Sequence, residues 1–294
     1  MGVVKAPSRV RSSGRGTGVL PLLPFFIFTG FFLVWPVIAV TLRSLHGNKN
    51  EWTFANYRPM LHKGPYLHAF VVSLKLSIVT TVIGSILGAF FAYVIVKYAH
   101  GKFGAVIDSI SAVFANSGGV PLAFMFVAAF GTEGLVTTVL KRLGWDIYAG
   151  HFTIFSFTGV VLVYSFFQIP LMVLIFKPAI AGLRSEWEEA STNLGASHLT
   201  YWRRVAIPIV TPSFIGAFFL LFAGGFSAYA TARALTVGTV PLVPIIIGTL
   251  VDGNVISDQA NLGDALAVGM IVVATIAMAG YIWAQRQAAK WRSS

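Results

Sequence analysis

The chain has 294 residues, of which 56% are hydrophobic and only 11% charged, whereas soluble domains carry about 25% charged residues. A soluble protein this apolar would have to hide more apolar surface than one core accommodates, so composition excludes a soluble enzyme or binding module and points to the lipid bilayer as solvent. The +11 formal charge is scattered over tails and loops, which argues for membrane topology and no nucleic acid, and the lack of cysteine excludes disulfides, thiolate metal sites and cysteine nucleophiles.

Residues 1–18, MGVVKAPSRVRSSGRGTG, are basic and rich in Gly and Ser. The apolar run after them is too long for a signal-peptide core, and no small-residue cleavage site follows it. Myristoylation at Gly2 calls for Ser or Thr at position 6, where Ala6 stands before Pro7. The segment is expected to be a flexible cytoplasmic tail.

A transmembrane helix needs about 20 largely apolar residues to cross roughly 30 Å of hydrocarbon. Six segments qualify, so the fold class is an all-α integral membrane protein with six transmembrane helices. The first runs Val19–Leu42 and, with an outer loop to residue 70, forms the unit 19–70. The second is about Leu76–Val96, entered through SLKLS, where Lys75 can snorkel to the interface. Its Gly84 and Gly88 form a G-x-x-x-G face for close helix approach, with packing inside the bundle preferred to a subunit contact. The third, about Ile107–Phe130, opens near Asp108, placed by the reading at a helix start, and is interrupted by NSGGVP. The fourth is about Thr153–Phe176, the fifth Ile209–Ala230 and the sixth Ala265–Ala284. VPLVPIIIGTL (240–250) is too short and proline-broken for a seventh span and is read as re-entrant or interfacial. Residues 71–286 form the core and 287–294 a second cytoplasmic tail.

With the N-terminus inside, thirteen of the 21 basic residues fall on the inner side: Lys5, Arg9, Arg11, Arg15, Lys97, Lys102, Lys177, Arg184, Arg203, Arg204, Arg286, Lys290 and Arg292. That bias predicts a multi-pass membrane protein with both termini in the cytoplasm. No Asp, Glu or Arg is placed deep inside a span, which counts against an ion-coupled carrier.

Between spans four and five lies the densest charge cluster, in an elbow spanning 183–208. Leu183, Trp187, Ala190 and Leu194 recur at helical steps, flanked by Glu186 and Glu189, with Glu188 on the far side of the helix. Gly195 stands where a left-handed C-cap belongs, with Ala196 after it, and Ser197 is placed to cap a second short helix. Pro208 and Pro212 are read as the handover to span five. A helix this acidic is disfavoured at anionic lipid and suits a groove on another protein.

The spacing of the elbow resembles the cytoplasmic signature of permease subunits in bacterial binding-protein-dependent ABC importers, which reads E-A-A, three residues, G, nine residues, I-x-L-P. Here it stands as Glu189-Ala190-Ser191, TNL, Gly195, ASHLTYWRR, Val205-Ala206-Ile207-Pro208. Ser191, Val205 and Ile207 are conservative departures. The resemblance covers roughly Val71–Arg286 and implies the type I importer permease fold, with the elbow as coupling helix. Glu186, Trp187, Glu188, Glu189, Ala190, Ser191, Gly195, Ala196 and Pro208 would then meet or shape the contact with a separate ABC ATPase. A second permease subunit, with a distinct relative favoured over a second copy, and an extracytoplasmic solute-binding protein are further implied partners. No cofactor, metal or catalytic residue is expected, since the chain lacks a G-x-x-x-x-G-K-[ST] loop.

ANSGGVP (115–121) and GGFSAYATARALTVG (224–238) are similar to segments of permeases in the polyamine, aminoethylphosphonate and ferric-iron group. That resemblance favours a polyamine-like cargo, with Asn116, Ser117, Phe226 and Tyr229 along the path. Asp252, Asp258 and Asp264 are candidate contacts for the binding protein. Two rivals are weaker. An intramembrane protease at NSGG would need a histidine inside a span, and His46, His62, His68, His100, His151 and His198 all lie outside the spans as read. An ATP-independent channel or carrier leaves the elbow unexplained.

Overall fold

The computed structural model describes residues 22–47, 51–62, 64–99, 101–150, 152–236, 238–251 and 260–292. Among them every regular element is helical, and the only extended pairing is an isolated antiparallel bridge between His46 and Trp52. Six helical stretches are long and apolar enough to cross a membrane. The all-α, six-span reading holds, with shifted boundaries.

The first span is α1, Leu23–Ser44. It carries Pro36 without a break because a π-helical turn at Gly30–Val34 precedes the proline, and the Trp35 N–H reaches back to the Gly30 carbonyl. A proline lacks an N–H and its ring crowds the carbonyl four residues earlier; one wide turn relieves both problems. The second span, α2, is Pro65–Tyr98, a 34-residue helix that Pro65 opens at its first position. At 1.5 Å per residue it is about 51 Å long and overshoots the hydrocarbon.

The third predicted span is split. Gly101–Ala115 forms α3 and Val120–Phe130 forms α4, separated at 116–119, and a turn then leads to α5, Leu135–Arg142. The stretch that meets the length and hydropathy of a crossing is Val120–Arg142 instead of Ile107–Phe130. Asp108 consequently lies in the middle of α3, not at a helix start, and it is held there by an ion pair to Lys177. Lys177 belongs to α6, Phe157–Ala181, which keeps both Pro170 and Pro178 inside the helix.

After α6 come α7, Ser185–Asn193, and α8, His198–Ser227. The handover expected at Pro208 is corrected: the short helix after Ser197 runs without interruption into span five. Again a π turn, Trp202–Ala206, precedes the proline, and the Ile207 N–H bonds the Trp202 carbonyl. Two short helices follow, α9 (Ala230–Thr236) and α10 (Val243–Val251), and the latter, at nine residues, is too short for a seventh span. The chain ends in α11, Ala260–Arg292, so the residues read as a tail from 287 continue the last helix as far as 292.

The bundle closes on α2, α6 and α8. A Cβ on Gly84 would lie 2.9 Å from Gln168 Cβ, and one on Gly88 would lie 2.5 Å from Met172 Cβ and 2.7 Å from the Ile169 carbonyl. The G-x-x-x-G face therefore receives α6 inside this chain, as preferred, and lets two backbones approach closely. Above and below it, Leu76, Leu122, Val160 and Tyr164 form one apolar cluster, and Ala92, Met172, Phe176, Val210 and Leu221 another. On the far side of α8 lies α11, where Phe219 packs against Gly280. The outermost helix, α1, is exposed along most of its length and docks on α11.

Candidate functional site

The elbow is built from local rules. Arg184, in an extended conformation, precedes α7, whose first turn carries Glu186 and Glu188 where the helix dipole favours acids. The helix stops at Gly195, whose φ of 79° is the left-handed conformation that glycine adopts freely. The Ala196 N–H bonds the Ser191 carbonyl at 3.0 Å and the Gly195 N–H bonds Thr192 at 2.9 Å, the paired pattern of a Schellman stop. Ser197 then caps α8 by accepting from the Thr200 N–H at 3.3 Å. Both sequence expectations for this turn, the C-cap and the N-cap, are met.

Glu186, Glu188, Glu189 and Ala190 are exposed, while Trp187, Ser191 and Ala196 are half-buried. The apolar stripe is not consumed by the chain itself: Leu194 is 87% and Leu199 76% exposed. Between α7 and the start of α8 runs a groove of about 460 Å³ lined by Trp187, Ala190, Ser191, Leu194, Arg204 and Val205.

Residues that the sequence reading passed over fix the elbow to the bundle. The Trp202 ring meets Tyr93 of α2 edge-on at 5.1 Å, and Lys97 donates to the Tyr93 hydroxyl at 3.0 Å. Trp202 Nε1 also donates to His198 Nε2 at 3.2 Å, and that same nitrogen lies 3.4 Å from a Glu188 carboxylate oxygen. A neutral imidazole accepts from Trp202, whereas a protonated one turns donor towards Glu188. No signal in the sequence pairs Tyr93 with Trp202, which are more than a hundred positions apart.

At the other end of the bundle, two backbone breaks meet. Asn116 Nδ2 and Ser117 Oγ cap the last carbonyls of α3, on Ala112 at 2.9 Å and Val113 at 2.6 Å. Gly119, with φ of 100°, opens the turn into α4. Its N–H donates to Thr231 Oγ1 at 2.7 Å, and that hydroxyl donates back to the Gly119 carbonyl at 3.2 Å. Thr231, at the head of α9, thus ties the break between α3 and α4 to the break after span five. The Tyr164 hydroxyl bonds the Ala228 carbonyl at 2.8 Å, and Ser73 Oγ accepts from the Val243 N–H at 2.9 Å. Unwound backbone inside a membrane bundle requires such partners. Gln168 closes the set from below: it is fully buried, donates to Thr80 Oγ1 at 3.2 Å, and its Oε1 has no donor among the described residues.

Residues 80–293 match the family described as binding-protein-dependent transport system inner membrane component. The chain belongs to that family. Among similar curated proteins, the "Probable sulfate transport system permease protein cysT" of Helicosporidium sp. subsp. Simulium jonesii is 26% identical over 70% of this chain and 72% of that protein. The "Sulfate transport system permease protein CysT" of Salmonella typhimurium is 24% identical, covering 69% and 71% respectively. Among solved structures, a bacterial ABC transporter involved in the import of the acidic polysaccharide alginate superposes with a TM-score of 0.70, at 17% identity over 93% of this chain and 95% of the other. The alginate transporter in complex with a pentasaccharide-bound periplasmic protein gives 0.67 at 16% identity, over 91% and 92%. The importer-permease fold expected from the elbow is therefore the fold of this chain, and it makes the protein a multi-pass membrane component of a binding-protein-dependent transport system.

Within this family member, the other sequence candidates scatter. Asn116 is exposed, Ser117 is half-buried, and both spend a polar atom on capping α3. Phe226, proposed for the path, is 2% exposed and stacks on Phe222 at 6.0 Å, so in this conformation it is core; its apolar ring is drawn there by α2 and α10. Tyr229 is half-buried against Gly248. Asp264 is also corrected: it is buried, and its carboxylate lies 3.2 Å from Arg43 Nε, joining α11 to the end of α1, so it does not present a free acid to a binding protein. Asp252 and Asp258 lie outside the described residues.

Proposed function

We propose that this chain is the membrane-spanning subunit of an ATP-driven importer and forms, with a second permease subunit, the path for a small solute. An extracytoplasmic binding protein delivers the solute, and separate ABC ATPase subunits supply the work. The observation that carries the reading is the elbow of a family member: a rigid, capped, acidic helix that leaves Leu194 and a 460 Å³ groove open to a partner. An ATPase docked there moves α7, and the Tyr93–Trp202 contact and the unbroken α8 pass that displacement to α2 and span five. Both termini face the cytoplasm in this arrangement. The cargo expected from residues 115–121 and 224–238 was polyamine-like, but the similar proteins carry sulfate-permease names. We therefore rank a small oxyanion first.

Replacing Glu189 by Ala together with Gly195 by Val removes an exposed acid and forces a branched side chain into a left-handed backbone, costing on the order of 1–2 kcal/mol locally. The purified double variant is expected to lose its ATPase subunits, or to keep them and hydrolyse ATP without uptake. Normal co-purification with wild-type transport refutes the docking assignment.

A further inference from the structure

Three candidate spans meet at the elbow end of the bundle: α2 stops at Tyr98, α6 stops at Ala181 and α8 starts at His198. Between them lies a cavity of about 350 Å³. It shares only Tyr201 with the groove beside Trp187 and Leu194, so it opens on a different face of the elbow. α2 contributes Tyr93 and Lys97, the entry and first turns of α7 contribute Arg184 and Glu188, and α8 contributes His198 and Trp202. The cations are left over. Lys97 and Arg184 are exposed, and among the described residues neither has a carboxylate within 4 Å. Lys97 donates to the neutral Tyr93 hydroxyl, and the Arg184 guanidinium lies 5.7 Å from the centre of the Trp187 ring. The cavity's one acid, Glu188, lies 3.4 Å from His198 Nε2. Two cations against one carboxylate leave a net +1 with His198 neutral, the complement of a single phosphodiester.

An apolar groove continues from the cavity. It shares Tyr93, His198 and Trp202 with it and adds Leu199, which is 76% exposed. A free phosphate would fill the charged part and leave the groove open, whereas a phospholipid uses both. Tyr93, Tyr98, Tyr201 and Trp202 gather around this end, and such rings collect where hydrocarbon meets headgroups. We propose that the cavity is a site for an anionic phospholipid, its phosphate between Lys97 and Arg184 and an acyl chain along Trp202 and Leu199. Basic pockets between membrane helices recognise acidic headgroups through this pairing of charge and apolar surface. The acidity of α7 does not oppose it, because Glu186 and Glu189 are not among the lining residues. A lipid held there would press the end of α2 against the start of α8, at the Tyr93–Trp202 contact. The ligand is distinct from any transported solute, and its binding does not depend on the importer reading.

Native mass spectrometry of the solubilised complex, equilibrated with equimolar phosphatidylglycerol and phosphatidylcholine, reads the preference directly. The wild type should retain phosphatidylglycerol over phosphatidylcholine. Lys97→Gln with Arg184→Gln should lower that preference about tenfold or more, since each basic side chain beside an acidic headgroup adds to the attraction. A charge-matched control, Lys102→Gln with Arg203→Gln, removes two exposed cations from outside the cavity and should keep the preference. Leu199→Glu retains both cavity cations but puts a carboxylate in the acyl groove, so it should lose the lipid as well; it tests the site even where the double variant does not fold. No preference in the wild type, or an equal loss in the control, overturns the proposal. Excess inorganic phosphate should leave the bound phosphatidylglycerol in place; displacement by phosphate assigns the cavity to a soluble anion and overturns the lipid.

Discussion

Gly88 and Gly224 are both helical glycines in an apolar bundle, yet their surroundings demand opposite outcomes on substitution. A methyl on Gly88 meets Met172 Cβ at 2.5 Å and the Ile169 carbonyl at 2.7 Å, and a backbone oxygen cannot swing aside as a flexible side chain can. Gly88→Ala is expected to destabilise the protein by about 1–3 kcal/mol, the usual cost of overpacking. Gly224→Ala meets nothing within 4 Å and should be neutral or gain up to about 1 kcal/mol from its helix propensity. Thermal unfolding of the solubilised complex checks the pair, and equal melting temperatures contradict the packing described. The glycine face was legible in the sequence because its two residues sit four apart on one helix. Gln168 was not, since it reads as one polar residue in an apolar run. Its meaning comes from Thr80 on α2 and from Gly225 on α8, where a Cβ would lie 2.6 Å from Gln168 Nε2.

Elements were legible where periodicity decides and misplaced where proline was taken as punctuation. Span five was expected to begin near residue 209 because Pro208 and Pro212 read as breaks, yet the helix starts at His198. A π turn ahead of Pro36 and another ahead of Pro208 absorb the lost hydrogen bond, and no residue pattern announces such a turn. The attachment of α1 was invisible for a related reason: Arg43 and Asp264 are 221 positions apart. Arg43 is largely exposed, whereas the Asp264 side chain is only 11% exposed. Arg43→Ala therefore leaves a buried carboxylate without its cation and should cost about 1–3 kcal/mol. Adding Asp264→Asn removes the stranded charge and should recover part of that loss. If the double variant melts below the Arg43→Ala single, the pair does not join α1 to α11 in the way described.

At the scale of the whole molecule, the proposed orientation puts the elbow at the cytoplasmic end of the bundle, and the charge bias supports it. With the elbow end taken as the inner side, that side holds the basic residues at the end of α2, the start of α3, the end of α6 and the π turn of α8, while Arg43, Arg58, Lys75, Lys141, Arg142 and Arg233 are expected on the opposite side. Residue 143 tests this independently of where span three is drawn. Whether the crossing ends with α4 at Phe130 or with α5 at Arg142, the chain emerges on the outer side before Leu143, which is 73% exposed. Ser191 lies on the elbow, four candidate spans after the start of α1 and so on the side from which α1 enters. In a chain without native thiols, Ser191→Cys and Leu143→Cys should react with an impermeant reagent from opposite faces: Cys at 143 in right-side-out vesicles, Cys at 191 only once the vesicles are inverted. Labelling of Cys at 191 in right-side-out vesicles would put the acidic helix on the side where no ATP is supplied, and the force-bearing role assigned to Glu189 and Gly195 would have no motor to serve.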